Sequence, residues 1–251
     1  MERRRRTARI AAMLACAAVP VVLLAGCSSS GSGSGSGSDG GSSAGASASA
    51  SSGGKDSAAS SSGTTTSATP APEPAKYAKL PDACTSLTKE TVSALVPKVK
   101  HAGGSKAAGS DTVTRGGCSW TGNGSDGYQY RWLSVSFQRF TASPGLGSPE
   151  EQAQSNYADQ VSEAGKAIPG SATSVADGIG DQASSVGGKA TVAKVTSQND
   201  SVVARTGNVV VLVEFNGAGL EGKKNPTSTT VANGALRAAK DAVAAVAAAN
   251  S

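Results

Sequence analysis

The chain has 251 residues and a formal charge of +5, from 23 basic and 18 acidic side chains. Five of the arginines and one glutamate fall within residues 1–26, so the remainder carries 18 basic against 17 acidic groups. That balance offers no basic footprint for nucleic acid and no polybasic membrane run in the sequence, and an aromatic content of 4% calls for a core of small side chains.

The N-terminus reads as an export signal. Arg3, Arg4, Arg5, Arg6 and Arg9 form a basic head, and Ile10 to Leu24 is an apolar run. The run is shorter than the roughly 20 residues of a membrane span, but it suits a secretory signal. It closes in Leu24-Ala25-Gly26-Cys27, which resembles the bacterial lipobox. The resemblance implies a signal peptide over residues 1–26, cleavage after Gly26, a diacylglyceryl thioether on Cys27 and often an acylated new N-terminus. Several acyl chains on one residue meet the requirement for stable anchoring. The expected location is the outer face of the cytoplasmic membrane, with the chain extending into the cell wall. The consecutive arginines leave the export route, unfolded or folded, open.

Cysteine usage agrees with export. Cys16 leaves with the signal and Cys27 takes lipid, which leaves Cys84 and Cys118. An even pair in an oxidising compartment reads as a disulfide. Its loop of about 35 residues corresponds to roughly 3.5–4 kcal/mol of stabilisation on the chain-entropy account. A metal site is the alternative, weakened by a single His in the chain.

Residues 27–78 comprise the lipidated Cys and a stretch of Ser, Gly, Ala, Thr and Pro. Such a composition buries too little apolar surface to offset its ordering entropy, so a disordered tether is expected. About 50 residues of flexible chain have a root-mean-square span of about 40 Å. Residues 79–250 suit a single domain with its own core.

Within that domain, Thr88 is an N-cap for a short helix from Lys89 to Val96, stopped by Pro97. Tyr130 to Phe140 alternates as a strand, with Leu133, Val135 and Phe137 on one side and Tyr130, Trp132, Ser134 and Ser136 on the other. Ser148-Pro149-Glu150-Glu151 is a capping box for a second helix, which presents Ala153, Tyr157, Val161 and Ala164. Ala190 to Thr196, Ser201 to Arg205 and Asn208 to Phe215 read as strands, the last two joined by a tight hairpin at Gly207-Asn208. An Ala/Val helix from about Thr229 to Ala249 ends the chain, striped by Val231, Ala235, Ala239, Val243 and Val246. Strands that cluster between helices without strict alternation predict an α+β fold, an antiparallel sheet with helices packed on one face.

The order of these pieces resembles a known family. Cys84-Thr85-Ser86-Leu87-Thr88 opens the first helix and Cys118-Ser119-Trp120 follows a Gly-rich stretch. Val175-Ala176-Asp177-Gly178-Ile179-Gly180-Asp181 follows the second helix, and a Val-rich hairpin carries Arg205-Thr206-Gly207-Asn208-Val209. This is similar to actinobacterial secreted lipoproteins of unknown function, in which a Cys-x-x-Leu helix is tied to a Cys-x-Trp strand. More distantly it resembles the extracellular sensor domains of mycobacterial serine/threonine kinases. The resemblance implies a Cys84–Cys118 disulfide and an α+β sandwich. It implies no catalytic residues, while the sensor comparison implies a ligand or partner surface.

The residues offer little catalytic chemistry. His101 lies in a Lys/Gly stretch without a Ser-His-Asp setting. Zinc and calcium spacings are missing from the sequence, and no cofactor or metal is expected. Asp159 and Glu163 read as a solvated helix face. Asp177 and Asp181 flank Gly178-Ile179-Gly180, where they form either a cation site or a turn whose carboxylates bond backbone amides. The most suggestive group is aromatic: Tyr130 and Trp132, with Tyr128 and Phe140 nearby, form a candidate ligand or partner surface on the strand face opposite Leu133, the alternative being that Trp132 caps a second small core beneath a loop or under Tyr77. Trp120 is expected to pack on the disulfide. The functional expectation is a membrane-anchored, non-enzymatic binding or accessory module. Its partners would be the bilayer, through the acyl anchor, and an envelope protein or wall component. A carboxylate-dependent envelope hydrolase and a solute-binding component of a transporter are the alternatives.

Overall fold

The computed structural model describes residues 74–111 and 113–251. The chain divides into two units, Met1–Thr64 and Thr65–Ser251. The export signal, Cys27 and the tether through Glu73 lie outside the described residues.

Among the described residues, three helices accompany eight strands. The helices are α1 (Lys89–Leu95), α2 (Pro149–Ala167) and α3 (Ser228–Ala249). The strands are β1 (Lys98–Val99), β2 (Ser105–Lys106), β3 (Arg115–Asn123), β4 (Gln129–Arg139), β5 (Ala172–Val175), β6 (Gln182–Val192), β7 (Val195–Thr206) and β8 (Val209–Gly219). They form one sheet in the order β1-β3-β4-β8-β7-β6-β5, with β2 also on β3, and every pairing is antiparallel. The α+β class and the antiparallel sheet are as expected. Among the described residues no helix is long and apolar enough to cross a membrane.

The helix ends follow the local chemistry. Thr88 Oγ1 accepts from Thr91 N–H at the start of α1. Ser148 and Glu151 form the reciprocal capping box of α2, with Pro149 at the first helical position. Thr227 caps α3, two residues ahead of the predicted start.

The helices do not share a face. α1 and α3 lie on one side of the sheet, where Val231, Ala235, Ala239, Ala242 and Val246 meet Leu133, Val135, Val202, Val211, Val213 and Phe215. α2 lies on the other side, where Ala153 and Tyr157 cover Val203 and Val210, with Phe140, Val161 and Leu212 at the margin. The cause is visible in β7 and β8: Val202-Val203-Ala204 and Val209 to Val213 are apolar without alternation, so both faces of the central strands must be covered.

One turn departs from expectation. Ala190 to Thr196 does not form the single strand expected of it: the chain reverses inside it, pairing Val192 with Val195. Ala193 and Lys194 hold positive φ of 48° and 68°. Such turns normally carry Asn-Gly or similar residues, so nothing in Ala193-Lys194 marked the reversal. The β7–β8 turn is conventional: Gly207 takes a φ of 52° between the paired Thr206 and Val209.

Candidate functional site

β4 divides its side chains as its alternation demands. Leu133, Val135 and Phe137 enter the core under α3, so Tyr130, Trp132, Ser134 and Ser136 face the α2 side. α2 covers only part of that side. Gln152 Nε2 donates to Thr141 O (3.2 Å) near its start, Tyr157 Oη meets Ser184 Oγ (2.7 Å), and Ile168, just past its end, packs at Gly188 in β6. The helix therefore lies over β6, β7 and β8, and the β3–β4 half of the face is left open.

Two clefts lie beside α2. Near the N-terminal half of the helix is one of about 330 Å³, lined by Asn156 and Gln160 of α2, Arg115 of β3, Ser136 and Gln138 of β4, Leu212 of β8 and the 107–110 segment. Near the C-terminal end a smaller cleft of about 110 Å³ is lined by Ile168, Asn199, Ser201, Glu214 and Asn216. Along the β4–β8 pair between them, Ser136 pairs with Leu212, Ser134 with Glu214 and Trp132 with Asn216. Ser134 Oγ donates to Glu214 Oε2 at 3.1 Å. Burial pushes the Glu214 carboxyl pKa up, and the Ser134 hydrogen bond opposes that only in part. Asn156 Oδ1 is buried and accepts no hydrogen bond from the protein. This side of the sheet thus offers amides, hydroxyls and the Glu214 carboxyl, with Arg115 at the wider cleft and the half-buried Trp132 ring on the same face, a set that suits a polar ligand with a face to stack.

The other aromatics divide. Tyr128 and Tyr130 are 47% and 36% exposed at the end of the same face. Phe140 is drawn into the small core beneath α2 and adds no ligand surface. Trp120 is buried with Cys118 under α3; its Nε1 donates to Ala102 O at 3.2 Å. The Cys84–Cys118 disulfide is present and ties the segment before α1 to β3.

Comparison with protein-family models, with curated proteins and with solved structures finds no match.

The carboxylates singled out in the sequence serve the frame. Asp181 Oδ2 accepts the Gly207 N–H at 2.6 Å and meets Arg205 Nη1 at 3.4 Å, while Lys76 Nζ stands 3.9 Å from Oδ1. Both oxygens are engaged in holding the β7–β8 turn, and Asp177 is exposed beyond it. Glu163 pairs with Lys166 at 2.7 Å on the solvent side of α2. His101 is exposed in the turn closed by Gly104 N–H to His101 O. Among the described residues no cluster of three metal-binding side chains occurs.

Two features went unread in the sequence. Glu214 carried a signal, as the single charge in the apolar run from Val209 to Phe215. Asn156 and Gln160, four apart on α2, carried none, because only the crossing of α2 over the sheet turns them into a wall. A further cleft of about 500 Å³, lined by Leu87, Val92, Val99 and Ala102 beside the disulfide, likewise arises from loop packing.

Proposed function

We propose that the protein is a membrane-anchored extracytoplasmic lipoprotein whose folded domain is a non-enzymatic binding or accessory module for a cell-envelope ligand. The observation that carries this reading is the partly uncovered sheet face beside α2, which bears Trp132, Ser134 and Glu214, next to the cleft walled by Asn156 and Gln160 of α2. The lipobox at Cys27 and the disulfide both accord with an exported chain, and the likeness to actinobacterial secreted lipoproteins belongs with the same reading. The lining favours a wall saccharide or a polar peptide. Co-sedimentation with purified cell wall tests it. The chain is expected to pellet with the wall, and Trp132→Ala is expected to weaken this about tenfold through loss of one stacking contact. A chain that stays in the supernatant, or a Trp132→Ala variant that pellets like the parent, would overturn the reading.

The hydrolase alternative draws no support from the geometry, because Asp177 and Asp181 line none of the clefts described above. The solute-binding alternative asks for two lobes, whereas the described residues form a single sheet with its helices.

A further inference from the structure

Large apolar side chains exposed to solvent are unevenly spread over the domain. Of eight such residues, five lie at one end of the sheet: Val192, Val195, Leu220, Tyr128 and Tyr130. Hydrogen bonds bring their segments together. Leu220 N–H donates to Tyr128 O at 2.8 Å, and Asn225 Nδ2 donates to Thr196 O at 2.8 Å, so the 220–225 loop lies between the β3–β4 turn and the β6–β7 hairpin. Strand pleating sends Val192, Val195 and Tyr130 to the same side of the sheet. The hairpin tip is the most exposed part, with Val192 at 75% and Val195 at 57%.

Cations gather at the same end. Lys194 occupies the tip, Lys223 Nζ stands 4.8 Å over the Tyr128 ring, Lys98 Nζ reaches Gly127, and Gln129 Nε2 donates to Lys224 O. None of these lysines is ion-paired among the described residues. Asp126 and Glu221 are the carboxylates of the two adjoining turns. The balanced charge of the chain therefore hides a segregation that folding creates, from lysines far apart in sequence.

We infer that this end of the sheet docks onto an anionic phospholipid surface, with Val192 and Val195 entering the headgroup boundary and the lysines meeting lipid phosphates. Exposed aliphatics ringed by tyrosines and lysines are the side chains that partition into a bilayer interface. The tip also keeps Ala193 and Lys194 in left-handed backbone where Asn-Gly would relax the turn, and strain kept without a packing gain marks a functional position. The chain enters the domain at the far end, where Lys76 packs on Gly207. The 12 residues of β7 set the two ends about 40 Å apart, and the composition of residues 28–73 gives a span of about the same length. An anchor at Cys27 thus leaves the tip free to reach the bilayer. Only this last point rests on the anchor reading; the docking itself stands on the folded residues.

Vesicle co-sedimentation of residues 27–251 carrying Cys27→Ser, so that no acyl group contributes, tests the docking apart from the anchor and from wall binding. Vesicles with about 30% phosphatidylglycerol are expected to retain the chain about tenfold better than pure phosphatidylcholine, with the difference shrinking as salt rises. Val192→Ser with Val195→Ser, and separately Lys223→Glu with Lys224→Glu, should each remove most of this binding. Leu146→Ser, at an exposed apolar residue elsewhere, should leave it intact. All these sites are exposed, and matching thermal melts will show that the variants are folded. Equal retention by both lipids, no retention, or retention indifferent to either pair of substitutions would overturn the inference. Loss only with the lysine pair, together with displacement by soluble polyglycerol phosphate, would replace the bilayer with an anionic polymer.

Discussion

Ser134 and Glu214 face each other across the β4–β8 pair, and the 3.1 Å hydrogen bond between them holds a half-buried carboxyl group on the sheet face beside α2. Burial raises the pKa of Glu214, and likewise that of Asp200 on the opposite face. The folded state therefore binds these protons more tightly than the unfolded chain. Their contribution to stability is complete below the ordinary carboxylate pKa and declines as pH rises through the raised folded values. Glu214→Gln keeps an acceptor for Ser134 and removes the titration. Its melting temperature should fall less than that of the parent between about pH 4 and 7. Parallel curves for the two proteins would show that Glu214 does not titrate as a buried acid.

Asn208 pins the chain entry to the sheet. It is fully buried; its Oδ1 accepts from Tyr77 N–H, and its Nδ2 donates to Tyr77 O and Phe140 O at 2.8–3.0 Å. Asn208→Ala removes three hydrogen bonds to backbone groups, leaving Tyr77 O only the 3.5 Å contact from Arg139 Nη1, and should cost about 3 kcal/mol in urea unfolding. A cost under about 1 kcal/mol would mean that water replaces the amide without penalty.

Gly234 shows helix propensity overruled by packing. An exposed helical Gly→Ala change gains up to about 1 kcal/mol. A Cβ on Gly234, however, would stand 2.7 Å from the Phe215 ring and 2.8 Å from Leu95 Cδ2. Gly234→Ala should therefore destabilise by about 1–3 kcal/mol, read as a lower denaturation midpoint. A gain in stability would mean that α3 can lift off β8 freely.

Replacing Cys84 and Cys118 together by Ser should lower stability by about 3–4 kcal/mol, because the disulfide closes a separation of 34 residues. Chemical reduction of the parent protein should reproduce the effect. An unchanged melting temperature after complete reduction would show that β3 and α1 hold together unaided.

At the β6–β7 tip, Ala193→Asn with Lys194→Gly places in left-handed backbone the residues that tolerate it. The pair should stabilise the domain by about 1–2 kcal/mol. A loss of stability would show that Ala193 and Lys194 hold contacts beyond the turn.

Much of the frame was legible from short-range chemistry. The capping box at Ser148 and Glu151, the N-cap at Thr88 and the alternation from Tyr130 to Phe137 are local rules, and each acted where it stood. The fold class followed from them, and the pairing of Cys84 with Cys118 followed from elimination. The reversal at Ala193 and Lys194 was not legible, because its residues break the rule that would have announced it. The placement of α2 departs from the single helical face expected, although the unbroken valines of β7 and β8 already required cover on both faces.

What the sequence determined by itself is thus the set of elements, their caps and the apolar stripe of each, since these depend on neighbours within a few residues. Only the tertiary structure decided which half of the sheet α2 would leave open, which polar groups would line that gap with Trp132, and how Lys98, Lys194, Lys223 and Lys224 would come to share one end. Those outcomes depend on helix crossing and strand order, which bring together residues tens of positions apart and leave no periodic trace along the chain.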